Sequence, residues 1–190
     1  SSWQFILKRV LDVFISTTVL ILGAPFYILT ALIVKTTSKG SIFFTQERIG
    51  LRGLPFKIIK FRSMYTDAEK NGPELSKDDD SRITAIGKFL RKTRLDETPQ
   101  FFNVLKGEMS LVGPRPERQF FIDQILQKAP QYNYLHKVKP GITSWGQVKY
   151  GYAENVNEMV ERLKFDLIYM ENRSILVDFK ILIYTVLVVI

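Results

Sequence analysis

Residues 10–34 carry one charge, Asp12, and residues 13–34 carry none. About twenty apolar residues let a helix cross a hydrocarbon core of roughly 30 Å, so this run meets the length that a membrane demands. Its middle reads Gly23-Ala24-Pro25. Proline lacks a backbone donor and clashes with the preceding turn, so a helix through this point must kink or break. Each half alone is too short to cross. Lys8 and Arg9 precede the run, and Lys35 and Lys39 follow it. A single span normally gathers its Lys and Arg on the cytoplasmic side only. A helix that dips into the membrane, turns at Pro25 and returns to the same face fits best. A kinked full span and a buried helix pair are the other readings. A signal peptide fits poorly, because no small-x-small cleavage site follows the apolar stretch.

The rest of the composition narrows the chemistry. Lys and Arg number 27 against 19 Asp and Glu, a net charge of +8. That excess points to an anionic partner: nucleic acid, a phosphorylated small molecule or an anionic membrane surface. There is no cysteine and one histidine, His136. Disulfide scaffolds, zinc ribbons, thiolate nucleophiles and Ser-His-Asp triads are therefore excluded or remote. Catalysis must rest on carboxylates, Lys, Arg or hydroxyls. No Walker A motif or Gly-rich dinucleotide loop is present.

Beyond a polar linker at 35–40, the pattern predicts a helix-rich α+β fold. Residues 41–46 and 56–64 are β-compatible runs separated by Gly50, Gly53 and Pro55, as in a small hairpin. Residues 66–81, with Asn71-Gly72-Pro73 and Asp78-Asp79-Asp80, read as a polar surface loop. Residues 83–94 suit a short helix with Lys88, Arg91 and Lys92 on a basic face. Residues 95–106 read as a helix stopped by Gly107. The two prolines around Arg115 make 112–116 irregular. Residues 117–128 read as helix and 137–151 as loop and extended chain. A further helix starts behind Asn155 with Glu158 placed as in a capping box, and Ser174 opens a last, apolar helix.

The strongest local candidate for chemistry is Asp96-Glu97, followed by Thr98-Pro99. One reading makes Asp96 an N-cap and Glu97 a first-turn acid that complements the helix dipole. The other uses the same place, where backbone N–H groups favour phosphate, to make a carboxylate a nucleophile toward phosphorus. Its neighbour would help hold Mg²⁺, which prefers carboxylate and phosphate oxygens. Lys60, Arg62, Arg91, Lys92, Arg94 and Arg115 are cations suited to phosphate, or solvated surface charges. Arg115 stands out because Pro114 and Pro116 fix its backbone, and a rigid guanidinium fork matches phosphate. Asp78-Asp79-Asp80 reads as a solvated loop before it reads as a metal site.

With these residues in view, the chain resembles the bacterial monotopic phosphoglycosyl transferases, which begin capsule, exopolysaccharide and O-antigen assembly. Four stretches carry the resemblance: Lys8-Arg9-Val10-Leu11-Asp12, residues 56–64, residues 87–116 with Leu95-Asp96-Glu97, Pro99-Gln100 and Gly113-Pro114-Arg115-Pro116, and residues 138–148. The resemblance implies Asp96 and Glu97 as a catalytic dyad, with Asp96 the nucleophile and a Mg²⁺ ligand. It implies substrate binding by Arg91, Pro114 and Arg115, and Lys60 and Arg62 are counted with them. The partners would be a UDP-sugar, undecaprenyl phosphate and membrane lipids, with no nucleic acid; a homodimer is allowed. The location would be the cytoplasmic face of the bacterial inner membrane. Residues 1–38 would form the re-entrant membrane helix and 39–190 one catalytic unit, with amphipathic helices at the interface.

Some positions depart from that pattern. Ala24 stands where small members place Ser before the proline, and Ser144-Trp145-Gly146-Gln147 stands for Gly-Trp-Ala-Gln. A basic residue expected shortly after is replaced near Tyr150-Gly151-Tyr152. Glu117-Arg118-Gln119-Phe120 looks like the large members, which suggests the catalytic C-terminal part of a longer chain. A non-enzymatic membrane-surface scaffold and a nucleic-acid-binding module are the competing readings. The first leaves Asp96-Glu97 and Arg115 unexplained, and the second leaves the uncharged run unexplained.

Overall fold

A computed structural model describes residues 2–70, 72–77 and 80–189. Asn71, Asp78 and Asp79, singled out above, lie outside the described residues.

The apolar run folds as α1 (Ser2–Thr37), which is helical through Pro25. The two halves stay one element, and the kink expected at the proline is a bend. The Tyr27 hydroxyl donates to the Val19 carbonyl at 3.3 Å, eight residues back. In a straight helix those residues are about 12 Å apart along the axis, further than a tyrosine reaches. Gly23 leaves the space that the Tyr27 ring fills. Among the described residues, Trp3–Thr37 is the one helix long and apolar enough to cross a membrane, with a mean hydropathy of 2.1 over its most apolar stretch. Only 11% of that stretch is buried, which is not how the core helix of a soluble protein is covered.

Both ends of α1 are tied to one body. Near its start, Lys8 donates to Asp178 (2.5 Å) and Arg9 to the carbonyls of Val104 (2.6 Å) and Leu105 (3.0 Å). Asp12 accepts from the Leu111 N–H at 3.1 Å. At its other end Val34 is buried with Phe61 and Leu90.

Strands β1 (Phe43–Ile49) and β2 (Pro55–Phe61) form the antiparallel hairpin, in register from Phe43↔Phe61 to Ile49↔Pro55. Its turn passes through Arg52 (φ 61°) and Gly53 (φ 73°). Helix α2 (Ala85–Lys92) is capped by Thr84, whose hydroxyl accepts from the Gly87 N–H at 2.9 Å. The predicted helix over 95–106 is two pieces: a 3-10 turn at Leu95–Glu97, then α3 (Gln100–Lys106), which ends at Gly107 with φ 87° as expected. The last carbonyls of α3 are the ones Arg9 satisfies.

A parallel pair, β3 (Ser110–Val112) with β4 (Gly141–Thr143), was not anticipated. It brings Gly113 against Gly141 so closely that a Cβ on either would run into the other's backbone. Helix α4 (Gln119–Lys128) follows, and the supposedly extended 137–151 stretch contains α5 (Trp145–Lys149). Helix α6 (Val156–Asn172) starts at Asn155, whose side chain accepts from the Glu158 N–H at 3.0 Å. Phe121, Ile122 and Ile125 of α4 pack with Met159 and Leu163 of α6. Helix α7 (Ile175–Val189) leaves Leu176, Phe179, Ile183, Val186 and Leu187 exposed at helical spacing, an apolar stripe with no partner in the fold.

Candidate active site

The 3-10 turn between α2 and α3 places Asp96 and Glu97 in the wall of a cavity of about 490 Å³. The residue opening that turn, Arg94, sits at φ 57°, a left-handed backbone that costs a non-glycine residue about 1–2 kcal/mol. Such strain persists where surrounding contacts hold it. Asp96 is not the helix cap that its position allowed, because no side-chain bond closes the turn. Instead Asp96 Oδ1 is buried without a hydrogen-bond partner. Burial, and then the negative charge of Glu97, push its pKa up to about 6, against the pull of Lys60, Arg91 and Arg94.

Glu97 has the opposite surroundings. It accepts from Lys60 Nζ at 2.7 Å and lies 3.6 Å from Arg115 and 3.5 Å from Arg94. Burial raises its pKa, but Lys60, Arg115 and Arg94 together outweigh that and hold it well below the usual carboxylate range. Two adjacent carboxylates are thus pushed apart: one is a fixed anion, the other a more basic group with an idle oxygen.

The cavity gathers most of the cations predicted for the site. Lys60 on β2, Arg91 on α2 and Arg115 in the double-proline loop all line it. Arg91 donates to Ser63 Oγ (2.9 Å) and Ser76 Oγ (2.5 Å). Two predicted binders do other work. Arg62 lines the same cavity, yet its guanidinium donates to the carbonyls of Lys39 (2.6 Å) and Ser38 (2.8 Å), beside Val34. That bonding holds the C-terminal end of α1, while Arg62 Nε is buried without a hydrogen-bond partner. Pro114 is buried and does not line the cavity; its carbonyl accepts from the Gly141 N–H at 2.9 Å, which anchors the loop that carries Arg115.

Other residues of the cavity escaped the sequence reading. Glu117, directly after the double-proline loop, is buried and bridges Arg162 (2.6 Å), Arg48 (3.2 Å) and Arg115 (3.9 Å). This clamp ties α6, β1 and the loop together, and only the fold brings its members near each other. Tyr152 offers its ring to Arg94 (4.9 Å) and Arg115 (5.9 Å). Glu69 of the 66–81 segment pairs with Arg118 at 2.7 Å, so that part of the loop is fastened across the cavity rather than free. Among the described residues no group of three or more His, Cys, Asp or Glu side chains forms a cage for a metal. The unpartnered Asp96 oxygen remains as a place where a cation fits, completed by a ligand's own oxygens.

A buried carboxylate with an idle oxygen, set among guanidinium and ammonium groups in a cavity of ligand size, has the charge and dimensions that suit an anionic, phosphate-bearing ligand. The sequence profile of the bacterial sugar transferases matches residues 3–190, and the chain belongs to that family. It is 42% identical over 180 residues to a UDP-N-acetylgalactosamine-undecaprenyl-phosphate N-acetylgalactosaminephosphotransferase of Aeromonas hydrophila, covering 95% of this chain and 43% of the relative. It is 43% identical over 185 residues to a UDP-glucose:undecaprenyl-phosphate glucose-1-phosphate transferase of Klebsiella pneumoniae, covering 96% and 40%. A Caulobacter vibrioides protein of that second name is 39% identical, covering 94% and 68%. The chain therefore spans about two-fifths of the length of the first two relatives. Nearly equal identity to relatives named for different sugars means that overall similarity does not choose the sugar.

Proposed function

We propose that this chain transfers a sugar-1-phosphate from a UDP-sugar to undecaprenyl phosphate and releases UMP, the opening membrane step of capsule, exopolysaccharide or O-antigen assembly. The observation that carries this reading is Asp96, a buried carboxylate with an unpartnered oxygen and a pKa pushed up to about 6, beside an anion that three cations pin. The names of the relatives supply the substrate pair.

Asp96 is the nucleophile. Its carboxylate oxygen attacks the phosphorus that bears the sugar, the bond from that phosphorus to the bridging oxygen breaks, and UMP leaves with the bonding pair. An oxygen of the lipid phosphate then attacks the same phosphorus. The bond to Asp96 breaks, its electrons return to the carboxylate, and undecaprenyl-diphosphate-sugar departs. The raised pKa makes Asp96 a stronger nucleophile while leaving it mostly ionised at neutral pH. Glu97 holds Lys60 and Arg115 in place, and these cations with Arg91 balance charge on the phosphates. Asp96, supported by Glu97, would hold Mg²⁺, which suits one or two carboxylates plus phosphate oxygens and supplies charge neutralisation.

The membrane arrangement follows the same reading. Helix α1 is a re-entrant helix on the cytoplasmic face of the bacterial inner membrane, turned at Pro25, with both ends docked on the one catalytic body. The exposed apolar stripe of α7 rests among the lipids beside it. A soluble anionic donor and a lipid whose phosphate stays at headgroup level then meet at Asp96.

UMP release from a panel of UDP-sugars, in detergent with Mg²⁺ and undecaprenyl phosphate, tests this directly. Release with one sugar, lost in Asp96→Asn, is the expected result. No release with any sugar, or release that survives the substitution, rejects it in favour of a scaffold.

A further inference from the structure

Tyr152 lines the polar cavity beside Asp96 and Glu97, and the steps proposed above do not use it. Its place is set locally. Helix α5 ends at Lys149, and Gly151 (φ 91°) donates its N–H to the Gln147 carbonyl at 3.1 Å, which turns the chain out of the helix. On the other side Ala153 is buried in the core with Ile49 and Met159. Tyr152 is held between that turn and that anchor. It is 51% exposed, so burial in a core does not account for a tyrosine here. The guanidinium carbon of Arg94 lies 4.9 Å from the centre of its ring, and that of Arg115 lies 5.9 Å away. Both fall within the roughly 6 Å over which the negative face of a ring attracts a cation. Arg94 opens the turn that carries Asp96, and Arg115 comes from the double-proline loop, so one ring meets two separate parts of the site.

Acids hold these two cations only loosely. Arg115 lies 3.6 Å from Glu97 and 3.9 Å from Glu117, and Arg94 lies 3.5 Å from Glu97. Lys60, by contrast, sits 2.7 Å from the same Glu97 carboxylate, the length of a close charge-assisted bond. Glu97 draws both guanidiniums inward, yet contacts of that length leave their orientation open. A ring supplies the missing constraint in a different way. It attracts a guanidinium through its quadrupole and needs no acceptor lone pair, so the N–H donors stay open to phosphate oxygens. It also attracts two like charges that repel each other. We propose that Tyr152 is a positioning residue for the diphosphate of the donor: its ring orients Arg115 and steadies Arg94, and with Arg94 the turn that presents Asp96. The inference rests on the transferase reading and adds to it a residue that acts through two arginines. Only the ring is needed for this, and the hydroxyl is not.

Ring electronics test this at nearly constant shape. The full chain in detergent is prepared as Tyr152→Phe, and with phenylalanines bearing one, two and three ring fluorines at the same position. Each fluorine weakens the negative face of the ring. Tyr152→Phe, the conservative variant, should retain most of the donor kcat/KM. From there donor kcat/KM should fall with each fluorine, to about tenfold below the Tyr152→Phe protein at three, while the urea midpoint stays unmoved. Titration of the same proteins with inorganic pyrophosphate reads the arginines without turnover, and its affinity should fall in the same order. A flat series in either readout overturns the inference, because apolar packing does not follow ring charge. A folded but inactive Tyr152→Phe protein overturns it as well, since the hydroxyl would then be the working group. UMP release absent from the unaltered chain brings down the transferase reading, and the pyrophosphate series then decides the role of Tyr152 by itself. Pyrophosphate that fails to bind the unaltered chain overturns the inference.

Discussion

Glu117 and Asp96 are both buried carboxylates in the wall of the same cavity, and they do opposite things. Glu117 is saturated by Arg162 and Arg48, with Arg115 close by, and joins three parts of the chain. Asp96 has an oxygen with no partner at all. Burial is common to both, so burial alone does not single out the nucleophile proposed above. What marks it is hydrogen-bonding capacity that the protein has left unused: a saturated carboxylate is a tie, and an idle one is available to a phosphorus atom or a metal.

Asp96→Asn probes the idle side of this comparison most severely. UMP release should fall by about 10³-fold or more, as removing a nucleophile does, while the thermal midpoint holds or rises because a poorly partnered buried charge has gone. A parallel loss of stability would show that Asp96 is a tie after all. The saturated side is broken by Glu117→Ala, which leaves Arg162 and Arg48 buried without their counter-ion. Denaturant titration should show a loss of about 3–5 kcal/mol.

Asp166 stands between the two. It accepts from the Gly146 N–H at 2.9 Å, and burial, only partly offset by that bond, by Arg162 and by bonds from the Ser144 hydroxyl and the Arg115 backbone, pushes its pKa up to about 6. Its folded pKa lies above the unfolded value of about 3.9, so the folded state favours the proton. Stability from this group is full below about pH 4, falls as pH rises toward 6 and is flat above. The expected change is up to about 3 kcal/mol, read from urea midpoints across that window, and Asp166→Asn should reduce the slope to the part that Asp96 contributes. The smallest effect is expected at Arg115. Arg115→Lys keeps the charge and loses the planar fork, so donor kcat/KM should drop about tenfold, with the urea midpoint little changed.

How far the chain could be read in advance varied from feature to feature. The bend at Pro25, the stop at Gly107 and the start of α6 at Asn155 were legible, because each depends on atoms within a few residues. The neighbourhood of Asp96 and Glu97 was legible as a candidate site, yet the sequence allowed Asp96 to be a cap, and only the 3-10 turn excluded that. Arg62 shows a related gap. A cation in a strand next to a candidate site looks like a ligand-binding group until the end of α1 arrives to occupy it. The β3–β4 pair left no readable pattern, since three residues are too few for a period and their partner lies some thirty residues away.

What the sequence alone determined, then, was where the chain bends, turns and ends its helices, and that carboxylates and cations would carry any chemistry. Those are consequences of missing donors, positive φ angles and side-chain caps, which act at short range. The tertiary structure decided which carboxylate is saturated and which is idle, and which arginine closes the end of α1 and which pairs with Glu97. These depend on burial and on charges brought together from distant parts of the chain, and a carboxylate acquires its pKa only after the fold has chosen its neighbours.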